Sequence, residues 1–311
     1  MELSGFAQGT SWHLTYYAPD STVLQQQIDS ILRKIDSSLS IYKPYSLISQ
    51  FNSASSSLPV DQHFINVIKK SISTYKSTKG IFDITVQPLV KAWGFGNTPI
   101  SCLPDSLEIC RLLKGIGSNK IYLKKNILHK KDPRITIDVN GIAQGYTVDV
   151  IAEFLLLHGI KNFIVEVGGE IRINGRRKPS NERMKVGIES PADNGSDNPF
   201  LQRIITLDHG ALTTSGSYRK YSESMGTKIN HLIDPSTGYP VNNELISVTV
   251  YAKDAITADA YDNALMVMGL KKALKFTDAR KDIAAYFIYK KDGVVSDTAS
   301  KRFQKFLKGP Q

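Results

Sequence analysis

The stretch from Ile135 to Tyr146, Ile-Thr-Ile-Asp-Val-Asn-Gly-Ile-Ala-Gln-Gly-Tyr, constrains the fold of this chain more than any other. Its apolar alternation predicts a short strand ending at the carboxylate of Asp138, and Gly141 and Gly145 predict a tight turn after it. Val148, Val150, Ile151, Phe154 and Leu155 then recur at helical spacing, with a stop at His158-Gly159. Glycines in such a turn let backbone come close to a ligand, and a helix start offers free N–H groups to a phosphate. A purely structural turn has the same signature, so this stretch alone leaves both readings open.

The rest of the chain decides the fold class. Residues 10–17 alternate and carry β-formers, which predicts a strand. From Ser21 to Leu39 the apolar residues Val23, Leu24, Ile28, Ile31, Leu32 and Ile35 predict a helix, capped by Ser21 or Thr22. A turn-rich link over 40–46 follows, then Ile48 to Asn52, a serine loop over 53–57, and a second helix from about Asp61 to Thr78. Phe82 to Val90 leads into the corner Trp93-Gly94-Phe95-Gly96, which reads either as core or as the lining of a flat-ligand pocket. A loop over 97–106, a helix over Leu107–Leu113 and a hairpin through Tyr122-Leu123 and Ile127-Leu128 come next. Beyond the central helix, Phe163–Val167 predicts a strand with a bulge at Gly168-Gly169, continued by Glu170–Ile173. Polar loops over 176–182 and 190–198 separate further strand-like pieces at Lys185–Ile188, Arg203–Leu207, Ala211–Thr213 and Tyr218–Tyr221. Ile229–Asp234 predicts a strand stopped by the turn Pro235–Pro240, and Ile246–Ala252 another, before a helix near Thr257. Strands in runs, with helices interspersed and no strict βα alternation, predict an α+β fold with mainly antiparallel sheet.

Composition narrows the function. At 311 residues, 41% hydrophobic and 22% charged, this is an ordinary globular chain with room for a sizeable core. No run is long and apolar enough to span a bilayer, and Met1-Glu2-Leu3-Ser4-Gly5 lacks the basic head and apolar core of a signal peptide. Either the protein is cytoplasmic or an export segment has been removed ahead of Met1. A net charge of +10, from 39 basic and 29 acidic residues, favours polyanionic partners. The basic residues are dispersed, apart from clusters such as Arg176-Arg177-Lys178 and Lys290-Lys291, and no nucleic-acid-binding motif is present. Cys102 and Cys110, without a CxxC or a histidine cluster, speak against a zinc site and a disulfide scaffold.

Chemistry concentrates at Thr257-Ala258-Asp259-Ala260-Tyr261-Asp262-Asn263. Asp259, Asp262 and Asn263 stand at i, i+3 and i+4, which puts three oxygen-bearing side chains on one side of a helix start. Oxygen-only ligands suit Mg²⁺, while acidic residues at a helix N-terminus are also favoured by the helix dipole alone. His231, beside a carboxylate and a Pro/Gly turn, is a candidate base or ligand contact. Thr213-Thr214-Ser215-Gly216-Ser217 has the look of an anion-binding cluster of hydroxyl and N–H groups. There is neither a nucleophile elbow nor a dinucleotide fingerprint.

Taken in order, the series resembles the ApbE family of FAD:protein FMN transferases, once described as thiamine-biosynthesis lipoproteins. The matching pieces are Gln8-Gly9-Thr10, Ser40-Ile41-Tyr42 with Ser46, Phe82–Val86 with Trp93–Gly96, Ile137-Asp138 to Gly145-Tyr146, Val167–Glu170, Thr214–Gly216, His231–Pro240 and Ala258–Ala260. Each is weak alone; together they cover nearly the whole chain. The resemblance implies an α+β, T-fold-like catalytic domain over residues 1–311, of two intertwined lobes with FAD in the cleft between them. It implies a Mg²⁺-dependent transfer of FMN to a threonine hydroxyl of an acceptor protein, with release of AMP. By matching positions, Gln8, Tyr42, Ile81, Phe82, Asp83, Asp138, Gln144, Thr214, Ser215 and His231 contact FAD. Gly141, through its carbonyl, with Asp259, Asp262 and Asn263, holds Mg²⁺, and His231 and Asp259 are the catalytic residues. The acceptors implied carry a Ser/Thr-Gly-Ala-Thr-like motif, as in respiratory Nqr/Rnf-type subunits. The location implied is the periplasm or outer face of the cytoplasmic membrane, through a lipid anchor absent from this chain.

Three positions depart from the family's usual residues: Gln8 for Met, Gln144 for Lys and Asn263 for Thr. Gln144 removes a positive charge, whereas Asn263 keeps a side-chain oxygen for a metal. Two other readings of the same site stand beside transfer: hydrolysis of FAD to FMN and AMP, and flavin binding without turnover. Nucleic-acid binding rests on charge alone and would show a steep salt dependence.

Overall fold

The computed structural model describes residues 1–18, 23–95, 102–190, 200–217, 221–224 and 227–307. In chain order its elements are β1 (Glu2–Ala7), β2 (Thr10–Tyr16), α1 (Gln25–Leu39), α2 (Leu47–Ser53), β3 (Ser57–Pro59), α3 (Gln62–Ser77), α4 (Gln87–Ala92) and α5 (Ser106–Leu113). These are followed by β4 (Ile121–Lys124), β5 (Ile127–Lys130), α6 (Asn140–Leu157), β6 (Phe163–Val167), β7 (Glu170–Asn174), β8 (Met184–Ser190), β9 (Phe200–Leu207) and β10 (His209–Gly216). The last are β11 (Tyr221–Ser224), β12 (Thr227–Asn230), β13 (Leu245–Ala252), α7 (Ala255–Met268), α8 (Leu270–Asp278), β14 (Ile283–Lys291), β15 (Val294–Ala299) and α9 (Gln304–Leu307). Two compact units result: Met1–Leu32, Gln144–Tyr218 and Glu244–Gln311 form the first, Arg33–Ala143 and Arg219–Asn243 the second. The chain therefore passes from one unit to the other and back twice. No helix of the described residues is long and apolar enough to cross a membrane.

The first unit is built on an eight-stranded antiparallel sheet in the order β1-β2-β6-β7-β10-β13-β14-β15. Side-chain alternation gives the sheet two apolar faces. On one, Trp12, Leu14, Tyr16, Phe163 and Val165 pack with Val148, Ile151 and Leu155 of α6. On the other, Ile173, Leu212, Tyr286 and Ile288 pack with Val186, Ile188, Ile205 and Leu207 of the β8–β9 hairpin. Burying each such side chain contributes about 1.5–3 kcal/mol, so these two layers outweigh local propensity in holding the sheet. The second unit combines the sheet β3-β5-β4, the pair β11-β12 and helices α2 to α5. Leu89, Trp93, Ile109, Ile116 and Ile233 form one of its cores.

The α+β, mainly antiparallel expectation matches this architecture, and several local readings need correction. Ile135–Val139 is not a strand. Its backbone groups are taken up instead by Asn52, whose side chain accepts from Ile137 N at 2.8 Å and donates to Ile137 O at 2.9 Å, and by the Ile84 carbonyl, which accepts from Asp138 N at 2.7 Å. The turn expected at Gly141 and Gly145 is already helix, since α6 starts at Asn140, with Gly141 alone off helical geometry (φ −86°, ψ 21°). Gly168-Gly169 is the reversal between β6 and β7, with φ of 65° and 103°, and not a bulge in one continuing strand. The strand expected through Asp234 ends at Asn230, because residues 231–240 close into a loop of their own. Ser57, the last residue of the expected serine loop, already belongs to β3, which pairs with β5. β1 and everything after α7 were not foreseen. Cys102 and Cys110 are exposed and form no disulfide. The caps at Ser21 and Thr22, Gly96, residues 97–101, most of the 190–198 loop and the start of the Tyr218–Tyr221 piece lie outside the described residues.

Candidate active site

In the first unit the chemistry gathers where α7 lies on β10 and β13. Asp254 caps α7 by accepting from Thr257 N at 3.0 Å, so the helix begins as the sequence predicts. One turn on, Asp259 and Asp262 are buried, at 3% and 1% exposure. Their i, i+3, i+4 spacing brings Asp259, Asp262 and Asn263 together: Asn263 Nδ2 donates to Asp262 Oδ1 at 2.9 Å and to the Asp259 carbonyl at 3.1 Å. Ser215 Oγ, from β10, donates to Asn263 Oδ1 at 3.3 Å. Asp259 Oδ2 accepts from Gly145 N at 2.8 Å. That bond corrects the reading of Gly145 as a place for ligand approach. A Cβ there would stand 2.5 Å from the Ala255 carbonyl oxygen and 2.7 Å from Asp259 Cβ, so this glycine exists for the contact between α6 and α7.

The electrostatics of the pair are unfavourable as they stand. Burial pushes the Asp259 carboxyl up to about 7; the Gly145 N–H pulls it down and Asp149 adds to the rise. Asp262 is raised by burial first, then by the charge of Asp259, with the Thr213 hydroxyl lowering it and Glu170 raising it further. No lysine or arginine of the described residues pairs with either carboxylate. Two buried like charges with an amide oxygen beside them form an oxygen-only donor set that a hard divalent cation would relieve, so the residues fit Mg²⁺.

A pH dependence follows. An unfolded aspartate titrates near about 3.9. Between that value and about 7 the folded protein holds a proton on Asp259 that the unfolded chain has released. This contribution is full below the unfolded value and is lost as pH rises through the folded one, by at most about 1.4 kcal/mol per pH unit for one proton. The thermal midpoint of metal-free protein is therefore expected to fall from pH 5 to pH 8, and less steeply in Asp259→Asn. Mg²⁺ should restore more at pH 8 than at pH 5. Identical midpoint profiles for the two proteins would remove Asp259 from the titration.

Other expected residues of the first unit have structural partners. Gln8, at φ 54° in the β1–β2 turn, exchanges hydrogen bonds with the Thr147 hydroxyl at 3.0 and 3.2 Å. Gln144 lies against the Gly168 turn, where an added Cβ would be 2.8 Å from its Nε2. Thr214 shares a 2.9 Å hydrogen bond with Thr249 across the β10–β13 pair. Residues 213–216 lie in strand β10 and pair with β13.

In the second unit Asp138 accepts from Asn140 N at 2.8 Å, and Asn140 Nδ2 donates to the Tyr42 hydroxyl at 3.2 Å. Tyr42 is 54% exposed, and partial burial together with the Asp138 charge keeps its phenol protonated. An open ring beside a carboxylate and an amide suits a flat polar ligand. Asn140, which completes the trio, had no signal in the sequence. Gly141 follows it at the first turn of α6. The buried carboxylate of Asp83 accepts from the N–H and hydroxyl groups of Thr85 and Ser118, at 2.6–3.2 Å. Burial raises it and those four donors hold it down. Phe82 is buried and Ile81 half-buried beside it. The aromatic corner braces the loop at 231–240: Trp93 Nε1 donates to the Gly238 carbonyl at 2.8 Å, and Phe95 meets the half-buried His231 edge-on at 6.3 Å.

Known proteins share this sequence and this fold. The model of the ApbE family matches residues 8–287. An FAD:protein FMN transferase of Vibrio cholerae is 36% identical, over 99% of this chain and 92% of its own length. One of Haemophilus influenzae is 32% identical, over 98% and 91%. The solved structure titled flavin transferase ApbE from Vibrio cholerae superposes with a TM-score of 0.88 at 34% identity, covering 99% of both chains. Matched by the family model over most of its length and at least 32% identical to these relatives over nearly all of it, the chain belongs to the ApbE family.

Proposed function

We propose that this protein is a Mg²⁺-dependent FAD:protein FMN transferase that moves FMN from FAD to a threonine hydroxyl and releases AMP. The observation that carries the reading is the buried pair Asp259 and Asp262 with Asn263, in a chain related over its full length to enzymes of that name. Those three side chains would hold Mg²⁺. Bound there, the cation supplies neutralisation of pyrophosphate charge.

The chain's own residues do the rest. Tyr42, Asp138 and Asn140 orient the flavin, and Phe82 backs them from the core of the same unit. Ser215 holds Asn263, and Asn263 in turn holds the Asp262 carboxylate, so the acidic face is set before substrate arrives. His231, held against Phe95, takes the proton of the attacking hydroxyl. A bond forms between the threonine Oγ and the FMN phosphorus, the pyrophosphate P–O bond breaks, and AMP leaves with the electron pair. Acceptors carry the Ser/Thr-Gly-Ala-Thr-like motif, and the protein works at the periplasmic or outer face of the membrane, which fractionation of native cells would test.

The deciding experiment incubates the protein with FAD, Mg²⁺ and an acceptor bearing that motif. Expected are AMP release and flavin fluorescence that stays on the denatured acceptor, both lost with a chelator or with an acceptor whose threonine is valine. AMP release undiminished by the valine acceptor would favour hydrolysis. Neither AMP nor covalent flavin would overturn the proposal.

A further inference from the structure

The N-terminus of α7 is held by a second carboxylate that neither the motif series nor the metal reading includes. Asp149, on α6, accepts from Ala255 N at 2.9 Å and from Ile256 N at 2.8 Å. Asp254 takes Thr257 N, and the Asp254 carbonyl takes Ala258 N at 3.3 Å, so the first four N–H groups of the helix are all satisfied. On the far side of Asp149, Arg172 Nη1 of β7 stands 2.5 Å from its Oδ1, and both side chains are buried, at 12% and 14% exposure. Gly145 and Asp149 are one turn apart on α6; Ala255 and Asp259 are one turn apart on α7. α6 thus grips α7 at two points: the Gly145 N–H on the Asp259 carboxylate, and the Asp149 carboxylate on the helix start.

The geometry points to Asp149 and Arg172 as positioning residues that set where Asp259 stands, and through it how tightly the protein holds a divalent cation. Neither side chain is among the proposed metal donors. Asp149 fixes the height and rotation of the first turn of α7, one turn before Asp259. Arg172 fixes Asp149 from the sheet, in a buried charge-assisted bond whose geometry a neutral partner would not hold as tightly. Outer partners of this kind typically tune metal affinity about 10–100-fold without touching the ion. This inference rests on the metal reading of Asp259, and its test separates the two.

The test compares wild type with Asp149→Asn, Arg172→Lys, Arg172→Met and the double variant Asp149→Asn/Arg172→Met. Mg²⁺ affinity is read without FAD, from the rise in thermal midpoint on Mg²⁺ titration and from calorimetry; metal-free FAD affinity is read separately. Asp149→Asn is expected to need about tenfold more Mg²⁺ for half of the effect, with FAD affinity within about twofold of wild type. Arg172→Lys, which keeps the charge, should recover most of the affinity that Arg172→Met loses. The double variant, which leaves no buried cation unpaired, keeps the test open where Asp149→Asn alone fails to fold, and should show the same loss. Wild-type Mg²⁺ affinity in a folded Asp149→Asn or double variant would overturn the positioning role alone. A wild-type protein indifferent to Mg²⁺ would overturn the metal reading, and this inference with it.

Discussion

Asp259→Ala is expected to abolish both FMN transfer and FAD hydrolysis, with losses of at least about 10³-fold. Both reactions break the same pyrophosphate bond and need the same negative charge neutralised. Losing several kcal/mol of that stabilisation corresponds to such a factor, at about 1.4 kcal/mol per tenfold. The substitution also leaves the Gly145 N–H without its acceptor and relieves Asp262 of the neighbouring charge that raises it. FAD affinity should weaken far less, since Tyr42, Asp138 and Asn140 are untouched. Asn263→Thr should stay within about threefold of wild type, because an oxygen remains at the position and the family's usual residue returns. Steady-state AMP release, acceptor labelling and an FAD titration check all three statements. An Asp259→Ala protein that turned over at the wild-type rate with Mg²⁺ would return the three residues to a helix-start cluster with no metal.

Gly145→Ala is expected to damage fold and activity together. On an open helix surface the change would stabilise by about 1 kcal/mol, since alanine is the better helix former. Here the new methyl meets the Ala255 carbonyl oxygen at 2.5 Å and Asp259 Cβ at 2.7 Å. Neither is the loose end of a side chain, so α6 and α7 must move apart. Overpacking of this kind costs about 1–3 kcal/mol. The displaced Asp259 should reduce transfer by about 10²-fold, the usual penalty of an ångström's misplacement. A thermal midpoint above wild type would show that the two helices are not in the contact described.

Elements whose signal is local were legible in the sequence. α3 was legible from about Asp61 to Thr78, α7 from its start near Thr257, and the hairpin β4–β5 from its two short apolar pieces. Ile135–Val139 misled because alternation reads the same whether the backbone is satisfied by a neighbouring strand or by Asn52, 85 residues away in the chain. The surroundings of Asp83 were not legible either: its donors on Ser118 come from 35 residues further on, and no spacing rule encodes that. The acidic face of α7 was legible from three positions on one helix. Its surroundings, Thr213, Ser215, Glu170 and Asp149, arrive through strand register and helix packing and have no signature in sequence. The β14 run Ile283–Ile288 did carry one, a continuous apolar segment typical of a central strand.

The order of the sheet has a consequence for how the chain is made. β1 and β2 are made well before β6, the strand that covers the open edge of β2 by pairing Tyr16 with Phe163. Trp12, Leu14 and Tyr16 likewise wait for Val148, Ile151 and Leu155 to bury them. Synthesis at about 5–20 residues per second puts that partner about 7–30 s behind. Loop closure over such a distance costs little more than over half of it, since the penalty grows with the logarithm of length. The delay is kinetic, and it leaves an unpaired, apolar strand edge available to other nascent chains throughout. Sensitivity to chaperone supply should therefore map to β1 and β2, far in sequence from the acidic helix α7.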